Sequence, residues 1–437
     1  MARLLAYQSP APGNMFPAID MLLELQRRGH DVHLRTREFN VEQLAALGLN
    51  VSAVDARIEQ IEIDDWRGRS QVDSLVRLLR ACAARARLEI PDLGRAISDV
   101  DPDALLVDIN CEGAICVAEA SGLPWALYCP YPPPFRSDDA PPHGVGFRPA
   151  RGPLGRARDR IWRSVGDRLL RPEVARLNEM RTALSLPPLR KFDDQFLRAD
   201  RFIAFTAEPY EYHRGDWPSE VRLVGPGLWE PPAEALPWLD KETRAMVLVT
   251  TSTAFQRDGE LIAAAFSALE GEDVAIVATT GAQDPTQFDV PANGRVERFV
   301  PHGPILARAR CVVCHGGQGI TQRALAAGVP VCAVPFSRDQ FDVARRVEMN
   351  GAGVRLHHKR LTPDRLRAAV DGATMMRAGA RRIAHAFAGA GGVAAAAAAV
   401  EDLLNVPPHV DEALTGGRRS LDVPRRRAGE VRPLGSS

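Results

Sequence analysis

The feature that most constrains the fold is a strand–turn–helix–strand sequence over residues 311–339, CVVCHGGQGITQRALAAGVPVCAVPFSRD. An apolar run predicts a buried strand, the glycine-rich residues 315–319 predict a turn, and residues 320–327 have a helical pattern. Gly328 suits the position just after that helix, and residues 329–334 predict the next strand. Free N–H groups and the positive end of the helix dipole would meet at the turn, so this stretch predicts an anion site.

The same alternation of strand and helix patterns recurs in both halves of the chain. Residues 3–7 and 247–249 each begin such a series, and a Pro-rich stretch lies between the two series. We therefore expect an α/β fold of two Rossmann-like domains, each with a parallel sheet, facing across a cleft. The expected boundaries are 1–225 for the N-terminal domain, 226–240 for a linker, 241–385 for the C-terminal domain, 386–405 for a C-terminal helix and 406–437 for a disordered tail.

Four local expectations concern where elements begin and end. Residues 10–14 should turn away from the first strand, so that the first helix begins only at Ala18. Residues 55–75 should form an irregular loop, residues 156–184 a pair of helices, and residues 296–300 a strand.

Composition limits the class of partner. The 437 residues carry a formal net charge of zero, which gives no overall attraction to nucleic acid or to an anionic membrane. No apolar run reaches the roughly 20 residues of a membrane helix, and the start of the sequence lacks the pattern of a signal peptide. The seven cysteines fall mostly in apolar runs. We expect a cytoplasmic protein with reduced thiols, acting as a monomer or homodimer.

One cysteine pattern allows a different interpretation. Cys311, Cys314 and His315 match the CxxCH pattern of covalent haem attachment. That chemistry belongs to exported proteins, and the two valines between the cysteines favour a strand. We therefore prefer His315 as a donor at the anion site.

Asp339 and Gln340 follow the second strand of the opening stretch. A carboxylate and an amide at a strand end can together bind vicinal hydroxyl groups. The alternative is that Asp339 caps a helix beginning near Phe341, and both roles could hold. A phosphate turn followed by a hydroxyl clamp suits a nucleotide-sugar.

These residues resemble the donor signature of the UDP-glycosyltransferase superfamily, glycosyltransferase family 1, and most closely its bacterial antibiotic and macrolide type. The matching motifs are His315-Gly-Gly-x-Gly-x-Thr321, Ala324-Leu-x-x-Gly-Val-Pro330, Pro335, Asp339-Gln340, Phe299-Val-Pro-His302, Gly13-x-x-x-Pro17, Arg28-Gly-His30-x-Val32 and Pro102-Asp103 to Asp108. The resemblance covers most of the chain.

The resemblance implies a GT-B fold with acceptor bound by the N-terminal half and donor by the C-terminal half, and a last helix that crosses back. It also implies inverting, metal-independent transfer without a cofactor beyond the nucleotide-sugar. The implied donor contacts are His315, Gly316, Gly317, Gln318, Gly319, Thr321 and Thr253 for the diphosphate, Phe299 and Val300 for the base, and Asp339 and Gln340 for the sugar. The expected acceptor contacts are Gly13, Trp66, Tyr131 and Phe135, for which ordinary loop packing is an equal alternative.

The sequence departs from the family at the catalytic base. The family has a histidine where this chain has Asn14, and an amide cannot act as a general base near neutral pH. Asp108 matches the carboxylate that normally orients that histidine. Three explanations stay open: an acceptor that needs little help, Asp108 or another carboxylate as the proton acceptor, or weak catalysis that depends on a partner.

A second departure affects the nucleotide. Arg323 stands where the family often has a glutamate for the ribose hydroxyls, and arginine cannot accept those hydrogen bonds. It could pair with phosphate or lie on an exposed helix face. The presence of Arg323 favours a dTDP-sugar over a UDP-sugar. Val343 stands in place of an asparagine that is usual in the motif, which makes the sugar specificity harder to predict.

Three functions are therefore compared. The leading one is glycosyl transfer to a hydrophobic small molecule such as a polyketide or aromatic natural product. A sugar-nucleotide epimerase or hydrolase would use the same scaffold, and a non-catalytic sugar-nucleotide-binding subunit would explain Asn14.

Overall fold

Parallel strands in each half of the chain organise the structure, a computed structural model that describes residues 1–231, 236–256 and 258–405. The strands are β1 (Arg3–Tyr7), β2 (Asp31–Thr36), β3 (Asn50–Ala53), β4 (Ala104–Asp108), β5 (Trp125–Cys129), β6 (Arg201–Ala204), β7 (Val221–Leu223), β8 (Met246–Thr250), β9 (Ala275–Thr279), β10 (Gly294–Glu297), β11 (Ala309–Cys314), β12 (Val331–Ala333) and β13 (Gly353–Arg355).

Helices cover the faces of the sheets. They are α1 (Pro12–Arg27), α2 (Glu38–Ala45), α3 (Ala56–Glu59), α4 (Gln71–Val100), α5 (Glu112–Ser121), α6 (Pro153–Ala183), α7 (Pro237–Lys241), α8 (Glu260–Leu269), α9 (His302–Leu306), α10 (Gln318–Ala326), α11 (Gln340–Met349), α12 (Pro363–Thr374), α13 (Arg377–Gly389) and α14 (Gly392–Leu403). Short 3-10 turns lie at Asp65–Arg67, Phe192–Arg198, Pro285–Gln287 and His358–Arg360.

The strands form two sheets, in the orders β3-β2-β1-β4-β5-β6-β7 and β10-β9-β8-β11-β12-β13. Neighbouring strands are parallel throughout. The strand order reverses beside β1 and beside β8, and ligands of open α/β sheets bind outside the carboxyl ends of the strands at such points. The predicted α/β fold with two parallel sheets is confirmed.

Each sheet is buried on both faces, which explains why its strands are continuous apolar runs. Side chains alternate between the faces, so Leu4 belongs to one core of the first sheet and Leu5 to the other. In the second sheet, Leu248 and Val247 likewise belong to the cores on opposite faces. Burying each such side chain contributes about 1.5–3 kcal/mol.

Several predicted boundaries were wrong. Helix α1 begins at Pro12, because proline is well tolerated in the first turn of a helix, so Gly13 and Asn14 are helical rather than in a loop. Residues 55–75 contain α3 and a 3-10 turn, and Ser70 caps α4 by accepting a hydrogen bond from the Asp73 N–H.

Two further boundaries differ from expectation. A single helix, α6, replaces the expected pair and continues through Pro172, with buried residues such as Asp159 and Leu177 on both sides of it. The strand expected at 296–300 is β10, which ends at Glu297, so Val300 lies beyond the strand.

The C-terminal helices pack on different sheets. Buried residues of α13, such as Ile383, belong to a core of the second sheet, whereas Val400 of α14 belongs to a core of the first. The break between them has positive φ values at Gly391 and Gly392, which glycine adopts readily. Glu401 of α14 also pairs with Arg28 at 2.7 Å.

By length and composition alone the stretch Arg377–Leu403 could cross a membrane, but core helices of globular proteins pass the same test. The predictions for the tail, 406–437, and for residues 232–235 of the linker lie outside the described residues. The domain boundaries stay predictions.

Candidate functional site

The carboxyl ends of the two sheets face each other across a narrow cleft. A Cβ atom added to Gly13, at the start of α1, would lie 3.2 Å from Thr253 Oγ1, in the loop after β8. The rings of Trp66 and Phe255 meet edge to face across the same cleft, with centroids 4.9 Å apart. Gly13 and Trp66 thus each lie opposite the loop after β8, which carries Thr253 and Phe255.

An ion pair also crosses the cleft. The guanidinium of Arg338 donates two hydrogen bonds of 2.7 Å to the buried carboxylate of Asp65. Arg338 has a positive φ of 52° and immediately precedes Asp339. The pair therefore links the predicted sugar-binding turn to the acceptor side of the cleft.

The predicted anion turn joins β11 to α10. Gly316 has a φ of 85°, and a Cβ there would lie 3.1 Å from the Gln340 carbonyl oxygen. Helix α10 begins with Gly317 at its N-cap, which supplies no side-chain cap. The first N–H groups of α10, among them that of Gly319, are therefore free to bind an anion.

His315 lies against this turn. A Cβ on Gly317 would fall 2.3 Å from His315 Nε2, so a side chain at that position would collide with the ring. Burial lowers the pKa of His315, which favours a neutral imidazole. Its Nδ1 is buried and makes no hydrogen bond within the described residues. The ring can therefore still donate to a ligand.

Two predicted diphosphate contacts have side chains turned elsewhere. Gln318 Oε1 accepts a 2.9 Å hydrogen bond from the Tyr210 hydroxyl, and the Thr321 hydroxyl is fully buried, 3.7 Å from Cys314 Sγ. These contacts argue against side-chain roles for Gln318 and Thr321. The backbone N–H groups, His315 and Thr253 stay the predicted diphosphate contacts.

The side chains of Asp339 and Gln340 have different surroundings. Asp339 stands at the N-cap of α11 but makes no side-chain cap bond, so the expected capping role is wrong. Burial raises the pKa of this carboxyl. Gln340 Oε1 accepts from the N–H groups of Phe336 and Ser337, at 2.8 and 3.0 Å. Asp339 is thus the freer of the two for a sugar hydroxyl.

Asp108 is buried and already saturated with donors. One oxygen accepts from the Gln8 amide and from the backbone and hydroxyl of Ser9. The other accepts from the backbone and side-chain amides of Asn110, at 2.9 and 2.7 Å. Burial raises the pKa of Asp108, against the effect of these bonds. Asn14 is not among its donors, and these bonds favour a positioning role for Asp108, while its role as proton acceptor stays a prediction.

The residues predicted to contact the acceptor also lie in different environments. Phe135 is a core residue whose ring lies 4.5 Å from that of Phe202, so its predicted contact with the acceptor is wrong. The Tyr131 hydroxyl donates to Asn110 Oδ1 at 3.2 Å, and its ring centroid is 6.1 Å from that of His143. The contacts of Tyr131 and Trp66 with an acceptor stay predictions.

The nucleoside end of the site contains a carboxylate that sequence patterns did not indicate. Phe299 is 47% exposed, whereas Val300 is buried and offers only its backbone to a base. Glu230 accepts hydrogen bonds from the N–H groups of His302 and Gly303, at 2.9 and 3.0 Å. It thereby caps the short helix that follows the base-binding segment.

Arg323 pairs with this carboxylate. Its Nη1 lies 3.1 Å from Glu230 Oε1, and its Nη2 donates to the Trp229 carbonyl oxygen at 2.8 Å. The expectation that Arg323 lies on an exposed helix face is wrong, because the side chain is largely buried and pairs with Glu230, whereas its pairing with phosphate stays a prediction. Glu230 lies 93 positions away in the linker, where only its complementary charge could have indicated it.

Comparison with known proteins places these features among natural-product enzymes. Residues 261–409 match the family model for the erythromycin biosynthesis protein CIII-like C-terminal domain. The 4'-demethylrebeccamycin synthase of Lentzea aerocolonigenes is 32% identical over 391 residues, which are 84% of this chain and 91% of the relative. A PGL/p-HBAD biosynthesis glycosyltransferase of Mycobacterium tuberculosis is 32% identical over 201 residues, 45% of this chain and 44% of the relative.

Solved structures share the fold. The calicheamicin glycosyltransferase CalG4 superposes with a TM-score of 0.69 at 22% identity, covering 93% of this chain and 98% of CalG4. The glycosyltransferase VinC, solved in complex with dTDP, gives a TM-score of 0.66 at 22% identity, covering 92% and 99% of the two chains.

Proposed function

Since this chain belongs to the UDP-glycosyltransferase superfamily, in its bacterial antibiotic and macrolide type with the GT-B fold, we propose that it transfers a sugar from a nucleoside diphosphate to a hydrophobic small-molecule acceptor. Membership makes the chain a glycosyltransferase of antibiotic or other natural-product biosynthesis. The name of the 32% identical relative, a demethylrebeccamycin synthase, supports a natural-product acceptor.

The observation that carries the proposal is the uncapped N-terminus of α10 beneath His315, opposite the start of α1. Transfer proceeds with inversion as the acceptor atom attacks the anomeric carbon and the nucleoside diphosphate leaves. Backbone N–H groups, the helix dipole and His315 stabilise the charge that develops on the leaving diphosphate. Because these groups perform that neutralisation, the reaction is metal-independent. Asp339 accepts hydrogen bonds from the sugar hydroxyls.

The proposed donor is a dTDP-sugar rather than a UDP-sugar. Arg323 occupies the position of the ribose carboxylate, and both oxygens of Glu230 already accept hydrogen bonds from backbone N–H groups. Arg323 therefore offers a 2′-hydroxyl no acceptor, and each oxygen of Glu230 already accepts one hydrogen bond. VinC shows that the fold accommodates dTDP.

The test is to incubate the protein with dTDP- and UDP-sugars and a panel of polyketide and aromatic acceptors, with and without EDTA. We expect a product heavier by one sugar, of inverted anomeric configuration by NMR, and formed equally in EDTA. Conversion of the donor without a glycoside would instead indicate an epimerase or hydrolase. Donor binding without any turnover would indicate an auxiliary subunit, the alternative that Asn14 favours. Light scattering on the same samples distinguishes monomer from homodimer.

A further inference from the structure

We propose that His143 takes the proton of the acceptor during glycosyl transfer, a step that Asn14 cannot perform. The inference rests on the proposed function and concerns the loop between β5 and α6. Imidazole is the most frequent general base in enzymes. The side chain lies against Asp342 on α11, across from the loop that carries it.

His143 lies between the acceptor side and the sugar side of the cleft. A third of its side chain is accessible, at 33%, and its ring centroid is 6.1 Å from that of Tyr131. Nδ1 lies 3.5 Å from Oδ2 of Asp342, which leaves Nε2 for a substrate proton. Asp342 follows Asp339 by three residues on α11, so the two carboxylates share a helix face. Burial has the largest effect on the pKa of Asp339 and raises it, whereas His143 is close enough to lower it.

The loop that carries His143 is fastened to α11. The two oxygens of Asp342 accept from the N–H groups of Gly144 and Gly146, at 2.6 and 2.7 Å. Gly146 has a φ of 61°, and a Cβ there would lie 2.6 Å from the Phe341 carbonyl oxygen. Arg345 Nε donates to the Gly146 carbonyl oxygen at 2.9 Å. His143 therefore belongs by sequence to the half predicted to bind the acceptor, but its loop is held against the helix that follows the sugar-binding carboxylate of Asp339.

The proposed step balances without a further reactant. A lone pair of the acceptor oxygen or nitrogen forms the bond to the anomeric carbon while the bond from that carbon to the diphosphate oxygen breaks. The bonding electrons leave with the diphosphate, and the acceptor proton moves to His143 Nε2. The imidazolium then faces the carboxylates of Asp342 and Asp339. The positive charges on the same segment have other partners: Arg338 pairs with Asp65, Arg345 with Glu348 and Arg346 with Glu211.

The test compares His143→Gln and His143→Ala with wild type on phenolic acceptors of graded acidity. We expect His143→Gln to lower kcat by about 10² to 10⁴ for weakly acidic phenols, and by much less for acidic phenols that ionise without a base. Added imidazole should partly restore His143→Ala, and the Kd for the nucleotide should change less than about twofold. His213→Gln is the matched control, because His213 also pairs with a carboxylate, at 2.8 Å, but is 82% exposed. It should behave as wild type.

The outcomes separate this inference from the proposed function. If wild type forms glycosides and His143→Gln keeps the same kcat across the phenols, His143 is not the base. A uniform loss across the series without imidazole rescue would make His143 structural and would equally overturn the inference. Absence of any glycoside from wild type would overturn the proposed function, and with it the role of His143.

Discussion

The Arg323–Glu230 pair allows a quantitative test of how the nucleoside end of the site is stabilised. Glu230 accepts hydrogen bonds from the backbone N–H groups of His302 and Gly303, at 2.9 and 3.0 Å, and its Oε1 forms an ion pair with Arg323 Nη1 at 3.1 Å. The two side chains are 14% and 17% exposed. Replacing either partner by glutamine removes the charge pair, but only the change at Glu230 also weakens the cap of α9.

The expected magnitudes follow from that asymmetry. Breaking a fully buried pair costs about 3–5 kcal/mol, and a charge-assisted hydrogen bond contributes about 1.5–3 kcal/mol. Allowing for the partial exposure, we expect Glu230→Gln to lower the free energy of unfolding by about 2–4 kcal/mol. Arg323→Gln should lower it by only about 1 kcal/mol, because Glu230 keeps its two backbone donors. The coupling energy in the double variant should be about 1–2 kcal/mol.

Urea unfolding followed by tryptophan fluorescence measures these differences, provided that the m-value stays constant. The control cycle uses Arg295 and Glu297, a pair of similar length at 3.0 Å that is 44% and 38% exposed. Its coupling should be below about 1 kcal/mol. The reasoning fails if Arg323→Gln destabilises more than Glu230→Gln, or if the buried pair couples no more strongly than the exposed one.

The same pair predicts nucleotide preference. Arg323→Glu combined with Glu230→Gln returns a carboxylate to α10, and the amide introduced by Glu230→Gln can donate a hydrogen bond to that carboxylate. We expect the ratio of UDP to dTDP affinity, measured by calorimetry, to rise about tenfold, as one added hydrogen bond to a charged acceptor would give. An unchanged ratio would mean that the ribose does not contact α10.

Three further predictions concern single carboxyl groups. Asp108→Asn should reduce kcat by less than about 10² and leave its pH profile unchanged, whereas a loss of 10² to 10⁴ would return Asp108 to the role of base. Asp339→Asn should lower kcat/KM about 10- to 100-fold without a change in melting temperature, because its carboxylate makes no helix cap; a matching loss of stability would contradict this. Burial raises the pKa of Glu89 to about 8 from 4.5, so its contribution to stability is fully present below pH 4.5 and is lost as pH rises through 8, by up to about 5 kcal/mol. Glu89→Gln should flatten that loss in urea titrations between pH 5 and 9, and an unaltered slope would show that Glu89 is ionised in the folded state.

The parts of the site that sequence reasoning located are those with a local physical cause. The glycine turn after Cys314 could be predicted because the positive φ of Gly316 favours glycine and a Cβ at Gly317 would collide with His315. Buried parallel strands are readable because both faces are covered, which makes each a continuous apolar run. The start of α1 was misread because Gly13 and Asn14 are also turn formers, and only the Pro12 position distinguishes the two.

The role of a side chain could be predicted from the sequence only where no residue far away in the chain contacts it. Phe135 has the composition of an acceptor-loop residue, but its environment is decided by Phe202 on another strand. Asp342 clamps a loop 196 to 198 positions away, and Arg338 pairs with a residue 273 positions away. Packing of two separate sheets determines such contacts, and no local periodicity carries that information.

The two departures from the family pattern share a physical basis. At Asn14 the family histidine is missing, and the Asp108 carboxylate that would orient it is saturated by Gln8, Ser9 and Asn110. At Arg323 the family carboxylate is missing, and a carboxylate from the linker lies against the substituted side chain. At both positions the surrounding charged groups already have partners. Restoring only the family's histidine at Asn14, or only its carboxylate at Arg323, would therefore create an unpaired group rather than the contact of the family pattern. The chemistry of this site must therefore be assigned from its own hydrogen bonds, and among the described residues these favour the proposed roles of His315, Asp339 and the imidazole at position 143.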